Sequence, residues 1–165
     1  MQVRVATPAD APAIAEIYNQ GIADRVATFE TSPRTPEMVR TWFDDQHPIV
    51  LAEETTVPIA FAATSLYRPR ACYAGIAEFA VYVARSARGR GAGRAVMEAL
   101  LTAAEAAGYW KLVSRVFVEN TASRALLRSC GFREVGIYEK HGQLDGQWRD
   151  VVIVERLIPV HPHFA

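Results

Sequence analysis

One carboxylate and a cluster of arginines and glycines carry the residue types best suited to chemistry. Between residues 55 and 97 the only acidic residue is Glu78, whereas arginine occurs six times, at positions 68, 70, 85, 88, 90 and 94. Glu78 lies in the apolar segment A-G-I-A-E-F-A-V-Y-V-A at residues 74–84, and R-G-R-G-A-G-R follows at residues 88–94. The sequence therefore predicts an acid in a strand, followed by a basic turn.

The apolar surroundings of Glu78 leave two roles open for its carboxylate. Strand alternation places Glu78 and Tyr82 on one face of the segment, and apolar residues on both faces predict a central, covered strand. Burial there favours the neutral acid, which raises proton affinity as a general base requires. The alternative is an ion pair of Glu78 with Arg68, Arg70 or another arginine, because a buried charge is costly without a partner.

The glycine-rich turn predicts an anion site. Alternating Gly89, Gly91 and Gly93 let the backbone turn tightly, and the helix that follows offers unpaired N–H groups and the positive end of its dipole. The turn matches neither the P-loop, which needs Gly-Lys-Ser/Thr, nor the dinucleotide fingerprint, whose third glycine position holds Arg94. A phosphate or pyrophosphate is the expected ligand, and a turn with solvated arginines is the alternative.

Two further segments contain candidate binding residues. Arg68 and Arg70 flank a proline in the loop Y-R-P-R-A-C-Y, and arginine forks bind carboxylate or oxyacid groups bidentately. The alternative for both is a solvated loop face. Phe29 is the single aromatic residue of a polar loop, and it either fills the core or lines a ligand pocket. His141, in the loop before the last strand, either approaches the substrate or lies at the surface.

The apolar periodicity predicts one α/β domain with a mixed sheet over residues 1–158 and a tail at 159–165. Thr7-Pro8 opens a helix that ends near Gly21, and Thr35-Pro36 opens a second helix that includes Trp42 and Phe43. A third helix follows the glycine-rich turn. The remaining predicted elements are a helix at 120–129 and strands at 2–6, 48–53, 57–66, 74–84, 111–118, 132–140 and 148–157.

The bulk composition excludes several functional classes. Formal net charge is zero, so nothing global recruits nucleic acid or a membrane surface. Two cysteines make no disulfide framework, and neither they nor His161 and His163 provide a metal-ligand set, so no metal is expected. Without an apparent signal peptide or transmembrane run, a cytoplasmic location is expected.

The turn and the later helix together resemble a known family. Arg88, Gly91 and Gly93 meet the pattern Arg-x-x-Gly-x-Gly, and Asn120 begins a segment similar to N-x-x-A-x-x-L…G-F, with Ser123 in the alanine's place. Both patterns are typical of the GNAT superfamily of N-acetyltransferases. The chain most resembles the phosphinothricin type, including arsinothricin-detoxifying enzymes, in five segments: I-Y-N-Q-G-I (17–22), A-T-F-E-T-S-P-R (27–34), Y-R-P-R-A-C-Y (67–73), A-E-F-A-V-Y-V (77–83) and D-G-Q-W-R-D (145–150).

This resemblance implies a GNAT fold, a mixed central sheet flanked by helices, with acetyl-CoA bound at the splayed central strands. It implies Glu78 as the general base. The usual tyrosine donor is replaced by leucine, which leaves Tyr82, Tyr138 or water as the acid. The implied cofactor-binding residues are Val81, Tyr82, Val83, Arg88, Gly89, Arg90, Gly91, Ala92, Gly93, Arg94 and Asn120. The implied substrate-binding residues are Phe29, Arg68, Arg70, Tyr73 and Glu78.

The implied reaction is acetylation of the α-amino group of a glutamate-like amino acid antibiotic, phosphinothricin or arsinothricin, by direct transfer. Alternatives are acetylation of methionine sulfoximine or sulfone, acetylation of a protein N-terminus, and a non-catalytic acyl-CoA-binding sensor. The resemblance also implies a homodimer.

Overall fold

The computed structural model describes residues 1–159 and contains seven strands, four α-helices and three short 3-10 helices in that range. The strands are β1 Gln2–Val5, β2 Ile49–Glu54, β3 Val57–Leu66, β4 Ile76–Val83, β5 Lys111–Phe117, β6 Arg133–Leu144 and β7 Gln147–Leu157. The helices are α1 Ala11–Asp24, α2 Pro36–Arg40, α3 Ala92–Ala106 and α4 Thr121–Ser129. Residues 160–165, which include His161 and His163, lie outside the described part, so the predicted tail stays a prediction.

The strands form one sheet in the order β1-β2-β3-β4-β5-β7-β6, in which only β4 and β5 run parallel. β4, which contains Glu78, is the fourth of the seven strands. The mixed α/β sheet predicted from the sequence is therefore confirmed. In residues 1–159 no helix combines the length and apolar character needed to cross a membrane.

The two central strands separate soon after they pair. Residues 76–78 of β4 pair with residues 111–113 of β5, and no further β4–β5 pairs follow. Beyond that point β4 stays with β3 as far as Val83, while β5 stays with β7 as far as Phe117. The Ser114 hydroxyl donates to the Phe79 carbonyl (2.9 Å) where the strands part. The result is a wedge-shaped gap in the middle of the sheet.

Helices cover the sheet on both sides. Along α3, Val96, Met97, Leu100 and Ala104 recur at helical spacing, and all four are fully buried in the main core. Burying such side chains stabilises the fold by about 1.5–3 kcal/mol for each large one. α3 lies against the Val83 face of β4, and α1 lies against the opposite, Tyr82 face.

The first helix extends beyond its predicted end. It continues past Gly21 to Asp24 and ends at Arg25, whose φ is 60°. A Cβ at Gly21 would lie 2.6 Å from the Tyr82 ring, so this glycine permits close contact between α1 and β4 and does not terminate the helix.

The second helix is shorter than predicted. Thr35 caps it, accepting from the Met38 N–H (3.2 Å), but the helix ends at Arg40 and leaves Trp42 outside. The Asp44 carboxylate accepts the backbone N–H of Gln46 (3.0 Å) and of His47 (2.8 Å). Directly after Arg40 the backbone N–H groups of residues 41–43 donate to carbonyls three residues earlier, so the last turn tightens, and the Asp44 bonds then compete with any further helix.

The last hairpin also differs from the prediction, because His141 and Gly142 belong to β6 and not to a loop. The turn is limited to Asp145-Gly146, both at positive φ, as a two-residue hairpin favours. Pairing with β7 shifts between Tyr138 and Gly142, which marks a bulge.

Candidate active site

A cavity of about 780 Å³ lies beside the gap between β4 and β5. Its volume is within the range of small-molecule sites. Among the predicted site residues, Phe29, Glu78, Val81, Tyr82 and Asn120 line it. The remaining predicted residues lie outside its lining.

Glu78 is neither fully buried nor unpaired. Its carboxylate accepts from the Arg115 guanidinium (Nη2 to Oε1, 2.6 Å), and the two side chains are 30% and 48% exposed. The complete burial assumed from the apolar sequence is therefore wrong, because the separation of β4 and β5 opens this face to the cavity. The ion pair that the sequence left as an alternative is present, with Arg115 and not with Arg68 or Arg70.

Sequence reasoning missed Arg115. The strand register explains its position: Glu78 pairs with Val113 on β5, and Arg115 is two residues further on the same face. Its Nη1 also lies 3.4 Å from Nε2 of His141, which the β6 bulge brings to the cavity wall. Of the two roles open for His141, the structure therefore supports proximity to the site.

Tyr82 lies deep in the pocket wall. Its ring stacks on Phe61 (centroids 5.6 Å apart) and meets Tyr18 edge-on (4.8 Å). Burial raises the pKa of the Tyr82 phenol well above its usual range. A phenol with a raised pKa donates its proton less readily, which weakens the predicted acid role.

The backbone of β4 presents polar groups to the gap. The Ala84 N–H donates to Ile59 on the β3 side, whereas the Phe79 carbonyl accepts from β5. Because backbone groups alternate along a strand, the N–H and C=O of Val81 and of Val83 point into the gap. Arg88 Nε donates to the Val83 carbonyl (3.2 Å), so this group already has a partner.

The glycine-rich turn has the backbone form that an anion site needs. Gly89 and Gly91 have φ of 74° and 86°, and a Cβ at either would meet nothing within 4 Å, so conformation and not space requires glycine. Gly91 is the N-cap of α3, whose first N–H groups lack intrahelical acceptors. Gly93 lies close to α4: a Cβ there would lie 3.0 Å from the Leu126 side chain, which would have to shift slightly to accept it.

The arginines of this turn all have acidic partners. Asp24 accepts from Arg85 (2.6 Å) and from Arg88 (2.7 Å), and these hydrogen bonds lower the pKa of the Asp24 carboxyl. The positive field is thus smaller than the arginine count suggests. The other two pairs are Arg90 with Glu54 (3.2 Å) and Arg94 with Glu98 (2.8 Å).

Asn120 lies at the end of β5 and caps α4. Its side-chain oxygen accepts from the Ser123 N–H (3.2 Å). This capping role alone explains why an asparagine is favoured at this position. Asn120 also lines the cavity, where a ligand can contact it.

The loop that contains Arg68, Arg70 and Tyr73 does not reach the cavity. Both arginines are exposed, and they lie over neighbouring aromatic rings: Arg68 over Tyr67 (5.3 Å) and Arg70 over Tyr73 (5.9 Å). The structure therefore does not bring these three residues together with Glu78 in a single chain.

Phe29 combines the two roles left open for it. Its ring meets Phe117 edge-on (4.8 Å), and a Cβ at Gly142 would lie 2.7 Å from it. The same ring lines the cavity, so Phe29 is both part of a small apolar cluster and part of the pocket wall.

Metal ligands are not grouped in the described residues: within 1–159 no three His, Cys, Asp or Glu side chains form a cluster that could hold a metal ion. Cys72 is exposed, and Cys130 is buried with a raised pKa. The expectation that no metal takes part stays a prediction.

The sequence matches the Acetyltransferase (GNAT) family over residues 14–132, and the chain belongs to this family. The protein is therefore an acetyl-CoA-dependent N-acetyltransferase, as the sequence resemblance predicted.

Three known proteins place the chain within the family. A phosphinothricin N-acetyltransferase from Streptomyces coelicolor is 32% identical over 94% of this chain and 95% of its own. An L-methionine sulfoximine/L-methionine sulfone acetyltransferase from Pseudomonas aeruginosa is 30% identical over 93% and 92%. The structure of a Sinorhizobium meliloti phosphinothricin acetyltransferase in complex with AcCoA has a TM-score of 0.88, with 28% identity over 95% of this chain and 88% of that one. The predicted resemblance to the phosphinothricin type is confirmed.

Proposed function

We propose that this enzyme acetylates the α-amino group of a glutamate-like amino acid antibiotic, phosphinothricin or arsinothricin, with Glu78 as general base. One observation carries the proposal: a single carboxylate of β4 faces the cavity next to the gap in which a thioester would lie. The named activity of the Streptomyces coelicolor relative supports the choice of substrate.

The chain offers two sets of groups to acetyl-CoA. The turn from Arg88 to Arg94 would bind the pyrophosphate with its backbone N–H groups, with Gly91 and Gly93 giving close approach. The backbone of Val81 and Val83, which points into the gap, would bind the pantetheine arm, and Asn120 would contact it from the end of β5. Acetyl-CoA supplies the thioester whose acetyl group is transferred.

The proposed chemistry is a direct transfer. Glu78, through a bridging water, accepts one proton from the substrate ammonium, and the free amine forms a C–N bond to the thioester carbonyl as the C–S bond breaks. The Val81 N–H stabilises the developing oxyanion. The nitrogen loses its second proton to water as the amide forms, and the thiolate takes up one proton to leave as free thiol. Glu78 then releases its proton to solvent, so the reaction yields one proton overall.

The proton for the thiolate comes, we propose, from water. A thiol has a pKa of about 8.5, whereas burial raises the pKa of the Tyr82 phenol far above that of a free tyrosine. Transfer from Tyr82 to the thiolate is therefore unfavourable, whereas the solvent at neutral pH protonates a thiolate whose conjugate acid has a pKa of about 8.5. Tyr138, half-exposed on β6 and outside the cavity lining, is the remaining side-chain alternative. Unchanged turnover in Tyr82→Phe would agree with water, and a large loss would restore Tyr82 as donor.

The second candidate is acetylation of methionine sulfoximine or methionine sulfone, which the named activity of the Pseudomonas aeruginosa relative supports. The non-catalytic acyl-CoA sensor considered from the sequence is not retained, because the chain belongs to an acetyltransferase family.

A thiol-release assay with acetyl-CoA tests the function. The acceptors are phosphinothricin, arsinothricin, methionine sulfoximine, methionine sulfone and ordinary amino acids. The proposal expects the highest kcat/KM with phosphinothricin or arsinothricin. Preference for the two methionine derivatives would select the second candidate. If none of the acceptors in the panel supports thiol release, both candidates are rejected.

We also propose that the protein confers antibiotic resistance by detoxification in the cytoplasm.

We further propose that the protein is a homodimer. The edge strand β6 exposes Val135 and Ile137, and Trp148 of the neighbouring strand β7 is exposed as well. An exposed apolar strand at a sheet edge is a surface that natural proteins normally cover. Sedimentation equilibrium that gives a monomer would contradict the dimer.

A further inference from the structure

Among the described residues, the cavity is lined by a single arginine and no lysine. This arginine is Arg115, and the other charged groups of the described lining are acidic or imidazole. Arg68 and Arg70, the arginines expected from sequence to bind an acidic substrate, lie outside the cavity lining. Recognition of an anionic acceptor within this chain therefore falls to Arg115.

The geometry of Arg115 leaves it free to bind such a group. One of its five N–H donors is bonded to Glu78 (2.6 Å), and its side chain remains about half exposed in the cavity. His141 lies 3.4 Å from the other terminal nitrogen. Because arginine can only donate, its N–H is the donor to His141 Nε2 in this contact. The guanidinium N–H groups that are not engaged by Glu78 or His141 remain for the oxygens of an oxyacid.

The pair of Glu78 and Arg115 is complementary to a zwitterionic acceptor. The carboxylate can pair with the substrate ammonium, and the guanidinium can pair with an acidic group of the same molecule. One ion pair within the enzyme is then exchanged for two between enzyme and substrate. The exchange also releases Glu78 from Arg115, which leaves the carboxylate available to accept a proton.

We propose that Arg115, with His141 beside it, binds the side-chain oxyacid of the acceptor and thereby determines specificity for acidic amino acids. The inference rests on the proposed function in so far as it assumes an amino acid acceptor. Arg115 thus takes a role that no local sequence pattern places on β5.

Steady-state kinetics of Arg115→Met test this assignment with two groups of acceptors. Phosphinothricin and glutamate have acidic side chains, whereas methionine sulfone has the same α-carboxylate and a neutral side chain. A hydrogen bond to a charged group is worth about 1.5–3 kcal/mol, so KM for the acidic acceptors should rise by about 10- to 150-fold. KM for methionine sulfone and for acetyl-CoA should stay within about threefold.

Two further variants complete the experiment. Arg115→Lys keeps the charge without the fork and should restore part of the affinity for acidic acceptors. The control is Arg133→Met, which removes an arginine that pairs with Glu155 outside the cavity, and it should leave all constants unchanged.

The outcomes separate this inference from the proposed function. Equal rises in KM for acidic and neutral acceptors, or no rise for either, overturn the role of Arg115, and so does a wild-type enzyme that acetylates only neutral amino acids. Acetylation of glutamate but not of either antibiotic would overturn the proposed antibiotic substrate and leave the assignment of Arg115 standing.

Discussion

Replacing Glu78 by glutamine tests the central step of the proposed mechanism. The change removes the proton acceptor and its charge while preserving the size of the side chain. Loss of a general base should lower turnover by about 10²–10⁴. At about 1.36 kcal/mol for each factor of ten, this corresponds to about 2.7–5.4 kcal/mol in the activation barrier.

The structure indicates that this loss can be separated from unfolding. Glu78 and Arg115 are both partly exposed, at 30% and 48%, and an exposed ion pair contributes only about 0–1 kcal/mol. After the change Arg115 remains about half exposed and next to His141, 3.4 Å away. The melting temperature should therefore change little, and the affinity for acetyl-CoA should be nearly intact because Glu78 lies apart from the glycine-rich turn.

The assay is thiol release at saturating concentrations of acetyl-CoA and acceptor, accompanied by calorimetric titration with coenzyme A. Glu134→Gln is a matched control, because Glu134 is 28% exposed, lies in a strand and pairs with Arg124 (2.9 Å) outside the cavity. Only Glu78→Gln should lose turnover. Full activity in this variant, or equal losses in the two, would refute the assignment of Glu78 as base.

Two predictions concern stability. The Asp24 carboxyl has a lowered pKa, chiefly because Arg85 donates to it. The stabilisation of the folded state by the charged carboxylate is therefore complete above the ordinary aspartate pKa of about 4, and it is lost as pH falls through the lowered value. The difference in melting temperature between wild type and Asp24→Asn should therefore be constant above pH ~4 and shrink below it; a constant difference down to pH ~2 would contradict the linkage. Gly75→Ala would place a Cβ 1.9 Å from the Trp110 ring, and such overpacking should cost about 1–3 kcal/mol in denaturant unfolding. Gly136→Ala, where a Cβ meets nothing within 4 Å, is the control, and equal stability of the two variants would be inconsistent with this packing.

Much of the fold could be predicted from local sequence patterns. The apolar stripe of α3 and the strand that contains Glu78 have clear periodicity. β2 and β3 lie close to the strands predicted at 48–53 and 57–66, with Thr55 and Thr56 at the turn between them. Predictions failed where a tertiary contact decided the outcome. Gly21 resembled a helix end, yet it lies inside α1 because the Tyr82 ring packs against it.

The candidate site was less predictable, because it depends on the register of distant strands. Arg115 is 37 residues from Glu78, and their contact requires β4 and β5 to be parallel and to pair at Val113. His141 reaches the cavity only through the irregular pairing of β6 with β7. No local pattern contains this information, whereas the glycine-rich turn is encoded by adjacent residues and could be found directly.

From the sequence, Glu78 is either a general base or part of an ion pair, and its contact with Arg115 allows both roles in one enzyme. A carboxylate held by an arginine was the structural alternative to a catalytic base, since a permanently paired charge is a poor proton acceptor. The two roles are compatible if Arg115, which faces the cavity, exchanges Glu78 for an anionic group of the substrate. In the free enzyme Arg115 then holds the Glu78 side chain in position, and an acidic acceptor that binds Arg115 releases it as the amine of the acceptor reaches the site. On this reasoning the same arginine governs both substrate choice and the availability of the base, so Arg115→Met should also change turnover with acidic acceptors and not only their KM.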